Sequence, residues 1–226
     1  KRKSAIALVM ALIMMLGLLG ACGKTEEKKF VVLEDDFAKE DYSIAFRKND
    51  IALAAKVQSI LDEMAADGTT DAIDTEWFGT PAFLKESDPI EDLSNPTDDS
   101  LDKVLQAGKL IVGLDDSLPP MGYRDSETGE IVGYDISLAE EVCKRLGVTM
   151  VLQPIDWNAK EGELAAGRID CVWNGMTVTP QRAEEMALLR PYLANRQVMI
   201  VPEGSSIKTK AGLAGKKLGL QTGSSA

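Results

Sequence analysis

The sequence predicts an α/β fold with mostly parallel strands. Three observations carry that expectation. From Leu101 onward, short apolar runs alternate with amphipathic helical stretches. Runs such as Leu110-Ile111-Val112-Gly113-Leu114 are apolar throughout, as strands buried on both faces are. The helical stretches close on glycines: Gly108, Gly147 and Gly167. The 226 residues, 45% hydrophobic and 27% charged, suit a folded globular chain of one large domain or two small ones.

Residues 1–21 read as an export segment. Lys1, Arg2 and Lys3 form a basic start, and Ser4 to Gly20 an apolar run rich in Leu, Met and Ala. Leu19-Gly20-Ala21-Cys22 then resembles a lipobox, in which small residues fit a peptidase cleft and the thiol of Cys22 accepts lipid. The apolar run is at the short end for spanning a bilayer, and charge follows it at once. Residues 22–29 are a charged tether. The chain starts at Lys1 rather than Met, so the sequence is expected to begin inside its reading frame.

Phe30 to Leu33 and Tyr42 to Phe46 are expected as two short strands. Asn49 or Asp50 can cap a helix whose Leu53, Val57, Ile60, Leu61 and Met64 recur at helical spacing up to Asp67-Gly68. That helix is expected to pack on the later sheet, because nothing else within residues 22–100 offers it an apolar partner. A short helix through Ile73 and Trp77 follows. Residues 80–100, with Pro81, Pro89 and Pro96, read as a linker.

Beyond it the pattern gives a helix over 101–107, a strand over 110–114 and a loop over 115–133. Next comes a helix with Asp135 as N-cap and Ala139, Val142, Cys143 and Leu146 inward. Strands are expected at 148–155, 169–173, 197–201 and 217–220. Asn158 with Glu161 resembles a capping box, and Thr179-Pro180 an N-cap followed by Pro at the first helical position.

A net charge of −11 argues against nucleic acid. The sequence contains no histidine, which removes Ser-His and Cys-His catalysis and every His-ligated metal site within this stretch. Cys22, Cys143 and Cys171 are far apart, so no metal or cofactor site is expected; Cys143 and Cys171 read as buried small apolar residues. Ligands of open α/β sheets lie beyond the strand carboxyl ends. The loops there hold Asp115, Leu118, Trp157, Asn174, Gly175, Met176, Thr177, Thr222, Gly223 and Ser224. Arg182, in the first turn after Thr179, places a guanidinium beside a helix N-terminus, where a carboxylate is favoured.

Three stretches resemble family 3 of the bacterial extracellular solute-binding proteins, which serve polar-amino-acid ABC transporters. Val112 to Met121 is similar to that family's first strand and pocket loop. Gly133-Tyr134-Asp135-Ile136-Ser137-Leu138-Ala139 is similar to its "GFDIDLA" motif, and Asn174 to Arg182 to its carboxylate-binding loop. The resemblance implies a type II periplasmic-binding-protein fold: two α/β lobes closing on ligand in a cleft. It puts the ligand carboxylate on Arg182, Thr177 and the Thr222 to Ser224 loop, and the ammonium near Asn174 and Gly175. Asp115 and Trp157 line the side-chain pocket, with Met176 in the same loop. Leu118 departs from the family, standing where many members carry an aromatic residue.

Residues 30–79 resemble the family's C-terminal segment, here placed first. The implied layout is a complete lobe 1 over 101–200 with 30–79 returning to it, and only the start of lobe 2 over 201–226, as a circular permutation or as a partial copy fused ahead of a complete one. The function implied is a lipid-anchored, extracellular, non-enzymatic receptor for a free amino acid, delivering it to an ABC permease. Prephenate or arogenate dehydratases share the scaffold and are the enzymatic alternative, with Glu161 or Glu163 as the acid. The ligand-sensing domain of a receptor is the third reading.

Overall fold

The computed structural model describes residues 29–226; Cys22 and the export segment lie outside the described residues. The first element, β1 (Phe30–Arg47), is one long strand rather than the two expected. The acidic stretch between the two apolar runs does not break it, because it is absorbed as irregularities in the pairing with a later strand. Then come α1 (Ile51–Asp67), α2 (Thr69–Phe78), α3 (Ser100–Ala107) and β2 (Lys109–Leu114). Three short strands follow within the expected loop, β3 (Ser117–Leu118), β4 (Gly122–Arg124) and β5 (Ile131–Val132), forming a small antiparallel sheet of their own. The chain continues through α4 (Tyr134–Leu146), β6 (Thr149–Pro154), α5 (Lys160–Ala165), β7 (Cys171–Thr177), α6 (Pro180–Glu185), β8 (Met186–Leu188) and β9 (Leu193–Pro202).

The main sheet has the order β6-β2-β7-β1-β8, with β9 also paired to β1. Its strands are less uniformly parallel than expected: β2 runs parallel to β6 and β7, whereas β1 is antiparallel to β7, β8 and β9. Both faces are buried. Ile44 and Phe46 of β1, Leu110 and Val112 of β2, and Cys171 and Trp173 of β7 face one cluster. Ala45, Val172 and Met176 face the other. That double burial is why the strand sequences read as apolar runs.

Helix α1 docks on this sheet, as its stripe requires. Leu53, Val57, Ile60, Leu61 and Met64 are buried in the same cluster as Leu110, Trp173 and Leu138. Its cap differs from expectation. Asp50 precedes the helix without a side-chain cap bond. The free amides are met from a distance instead: Ala52 N donates to Asp98 Oδ2 at 2.9 Å and Leu53 N to Ser100 Oγ at 3.0 Å.

Residues 80–99 have no helix and no extended strand, yet they are strapped down. Buried Asp74 accepts from Ala82 N (2.6 Å) and Phe83 N (2.8 Å). Leu84 N donates to Tyr192 O at 2.8 Å, and Ser87 Oγ to Pro191 O at 2.8 Å.

Three further expectations change. Asp135 is the second residue of α4, with Gly133 at the cap. Asp156 caps the turn over Trp157–Ala159, and the Asn158–Glu161 box does not form. The stretch 217–220 is coil, unpaired with any strand among the described residues, with Leu218 and Leu220 exposed. Cys143 and Cys171 are free and buried. Among the described residues, no helix is long and apolar enough to cross a membrane.

Candidate functional site

A cavity of about 110 Å³ opens where β2 and β7 end, at the carboxyl edge of the parallel strands. It gathers Asp115, Leu118, Trp157, Asn174, Gly175, Thr177, Arg182 and Ser224 from four separate stretches of the predicted set. A larger cleft of about 610 Å³ between β9 and residues 217–226 is walled by apolar side chains such as Phe37, Ile200 and Leu220. We place the site at the smaller cavity because the convergent polar groups are there.

Arg182 stands as the motif predicts. Thr179 Oγ1 accepts from Arg182 N at 3.2 Å, and Pro180 occupies the first helical position. The side chain is 8% exposed. Its Nη1 donates to Thr177 O at 2.7 Å and its Nη2 to Gly223 O at 3.1 Å. Burial lowers the guanidinium's pKa, and the Glu161 and Glu40 carboxylates act against that. Lys160, almost wholly buried, sends Nζ to the same Gly223 oxygen at 3.1 Å and to Trp157 O at 3.1 Å. It pairs with Glu161 at 3.0 Å and lies 5.1 Å from the centre of the Trp157 ring. Two cations therefore meet on one neutral carbonyl.

The lining around Asp115 is tightly built. Asp115 Oδ1 accepts from Ser117 Oγ at 2.5 Å, and Oδ2 from Gln221 Nε2 at 2.6 Å. Asn174 is fully buried, its amide oriented to donate to Asp115 O (3.2 Å) and accept from Gly122 N (3.2 Å). A Cβ on Gly122 would collide with that amide, so the site needs glycine there. Gly175 has φ of +55°, and its N–H donates to Asp135 Oδ2 at 2.8 Å.

Three expected residues stand off the cavity. Met176 turns to the other face of β7, by strand alternation, and packs with Ala45, Val172 and Met186. Thr222 is exposed. Gly223 contributes its carbonyl to Arg182 and Lys160 and lines an adjoining opening. Sequence reading missed Tyr42, Gln197 and Gln221 on the wall, which Ser225 joins beside Ser224. Tyr42 lies on β1, far from the motifs in sequence, and only the pairing of β1 with β7 brings it there. Burial, then the Glu40 and Asp135 carboxylates, push its phenol up to about 12. Gln197 is held by Glu40 Oε2 at 3.1 Å.

The sequence model described as bacterial extracellular solute-binding proteins, family 3, matches residues 110–222. The chain is 33% identical over 125 residues to the L-cystine-binding protein TcyJ of Escherichia coli (strain K12), covering 54% of this chain and 47% of that protein. It is 31% identical over 116 residues to the arginine-binding extracellular protein ArtP of Bacillus subtilis (strain 168), covering 51% and 45%. Against the histidine-binding periplasmic protein of Salmonella typhimurium (strain LT2) it is 34% identical over 118 residues, covering 51% and 44%. The chain spans about half the length of the curated relatives it matches.

Proposed function

The chain belongs to family 3 of the bacterial extracellular solute-binding proteins, and from that premise we propose that it binds a free α-amino acid outside the cell. One observation carries the reading. A single small cavity is lined by both Arg182 and Asp115, together with Thr177, Ser224 and Ser225. A zwitterion has the complementary charges at the complementary ends. Arg182, Thr177 and the Gly223–Ser224 loop take the carboxylate; Asp115 takes the ammonium; Leu118 and Trp157 flank the side chain. Asn174 acts by bracing Asp115 and Gly122.

The relatives' names, binding proteins for cystine, arginine and histidine, support a receptor rather than an enzyme. So does the state of the two glutamates a dehydratase would draw on. Glu163 is held by Arg168 through two bonds of 2.5 and 2.9 Å, which lower its pKa. Glu161 is paired with Lys160.

In the wider reading, the protein delivers its ligand to an ABC permease. Residues 101–200 and 30–79 form the first lobe, residues 201–226 begin the second, and Cys22 carries a lipid anchor. Calorimetric titration with free and carboxyl-amidated amino acids tests the site. Free ligands bind and amides do not; equal binding of both refutes the assignment. Fatty-acid labelling that is equal in the native protein and Cys22→Ala refutes the anchor.

A further inference from the structure

The wall formed by Asn174 and Gly175 lies where the sheet loses its register. From Ser43 to Ala45 strand β1 advances two residues, while its partners on β7 run from Met176 to Val172, four residues. Trp173, Asn174 and Gly175 fall inside that irregularity. Gly175 there takes positive φ, and a Cβ on it would stand 3.2 Å from both Leu118 and Tyr42. A segment released from the ladder needs another partner for its amides.

Asp135 supplies one. It is fully buried, and its two oxygens divide between Gly175 N at 2.8 Å and the Tyr192 hydroxyl at 2.7 Å. The titratable groups facing it are phenols: Tyr192 from the segment before β9, Tyr134 from its own helix and Tyr42 from β1. Asp74 of α2 stands behind Tyr134, bonded to its hydroxyl at 2.8 Å. None of these four is a cation, and burial pushes the Asp135 carboxyl up to about 7. Two donors point at the carboxylate. Once it is protonated, one oxygen becomes a donor itself, and its bonds lose their charge assistance.

We propose that Asp135 is a positioning residue for the binding cavity: as a carboxylate it grips the Gly175 amide and holds the Asn174–Gly175 wall against Leu118 and Tyr42, and on protonation it relaxes that grip. This rests on reading the cavity as an amino-acid site. The consequence is a receptor whose affinity falls as its surroundings acidify through neutrality.

The test uses the intact protein and has two arms. In the first, without ligand, the Gly175 amide resonance of isotope-labelled protein is followed across pH. It titrates with a midpoint near the Asp135 value in the native protein and is flat in Asp135→Asn. Tyr192→Phe, which keeps the ring and removes one donor to the anion, moves the midpoint upward. In the second arm, L-arginine, L-histidine and L-cystine are titrated by calorimetry at about pH 8 and about pH 5, either side of the transition. The native protein loses about tenfold or more in affinity on acidification. Asp135→Asn binds more weakly at the higher pH and shows no such change. A Gly175 resonance that does not titrate, or an Asp135→Asn protein with native affinity and pH profile, overturns the proposal. Should Asp135→Asn not fold, the native and Tyr192→Phe titrations of Gly175 decide alone. Failure of all three amino acids to bind at either pH, with Gly175 still titrating, counts against the amino-acid reading and leaves the Asp135–Gly175 coupling standing.

Discussion

Replacing Arg182 with alanine should weaken amino-acid binding by at least about tenfold, and the size follows from what the side chain already does. Its Nη1 is fixed to Thr177 O, which aims the guanidinium, and its Nη2 rests on the neutral carbonyl of Gly223. A ligand carboxylate competes for that second position. The exchange trades a neutral acceptor for a charged one, and charge-assisted bonds are roughly twice as strong. Losing a charge-assisted bond costs about 1.5–3 kcal/mol, or about tenfold to a little over a hundredfold in affinity. Displacing Gly223 takes something back, which sets the expectation toward the lower end. Arg182→Lys should recover only part, because one ammonium cannot hold Thr177 O and a carboxylate as a planar fork does. Calorimetry of native, Ala and Lys proteins against one free amino acid and its carboxyl amide is the assay. The amide should bind all three proteins with similar weakness. If Arg182→Ala binds the free amino acid like the native protein, the carboxylate is held elsewhere.

Three other expectations follow from the same structure. Leu61→Ala should cost about 2–5 kcal/mol of stability, as buried leucine truncations do, and should lower one common unfolding transition in urea. An early separate transition for α1 would contradict its place in the shared core. Gly122→Ala should cost about 1–3 kcal/mol and weaken ligand binding, because the new methyl displaces the Asn174 amide that braces Asp115; unchanged thermal unfolding and binding would rule out that brace. Asp135 should also set a stability slope. Its folded pKa of about 7 lies above the ordinary 3.8, so protonation favours the folded state, and this contribution is lost as pH rises from about 4 through about 7. Three units at about 1.4 kcal/mol each put it on the order of 4 kcal/mol, read as the difference in pH-stability slope between the native protein and Asp135→Asn. Parallel slopes would mean that Asp135 is not protonated in this range.

Much of this was legible in the sequence where periodicity and capping chemistry act locally. The stripe of α1, the Thr179-Pro180 start before Arg182 and the glycine helix ends all follow rules that reach only a few residues. What was not legible depends on distant pairing. Residues 30–47 look like two strands because an acidic stretch separates the apolar runs, yet β9 lies beside both and joins them into one. Asp135 looks like an N-cap because it precedes an apolar stripe. The chain instead starts α4 two residues earlier, with Gly133 at the cap, and turns the carboxylate inward to Gly175 and Tyr192. Met176 lies inside the motif, yet strand alternation sends it to the opposite face. Lys160 carries no local signal of a site, because its role depends on Gly223, 63 residues later.

Strand β7 explains why the cavity lies where it does. Its first three residues serve the sheet in ordinary alternation, with Cys171 and Trp173 in one cluster and Val172 in the other. Had the ladder with β1 continued in register, the next residues would also be spent on packing. The four-for-two irregularity interrupts that, and the polar residues Asn174 and Gly175 fall at the interruption. Their hydrogen-bonding groups must then be met by groups outside the ladder, which is what Asp135, Asp115 and Gly122 provide. A buried carboxylate is costly there, since burial drives its pKa up to about 7 even against the Tyr192 and Gly175 hydrogen bonds that lower it. The fold tolerates it because one residue both repairs the broken ladder and shapes the wall of the cavity. Pairing resumes at Met176 and Thr177, so the Thr177 carbonyl is held firmly enough to aim Arg182. The positive end of the site therefore rests on restored sheet and the opposite wall on its interruption, so a substitution at Asp135 should move the Gly175 wall while leaving Arg182 in place.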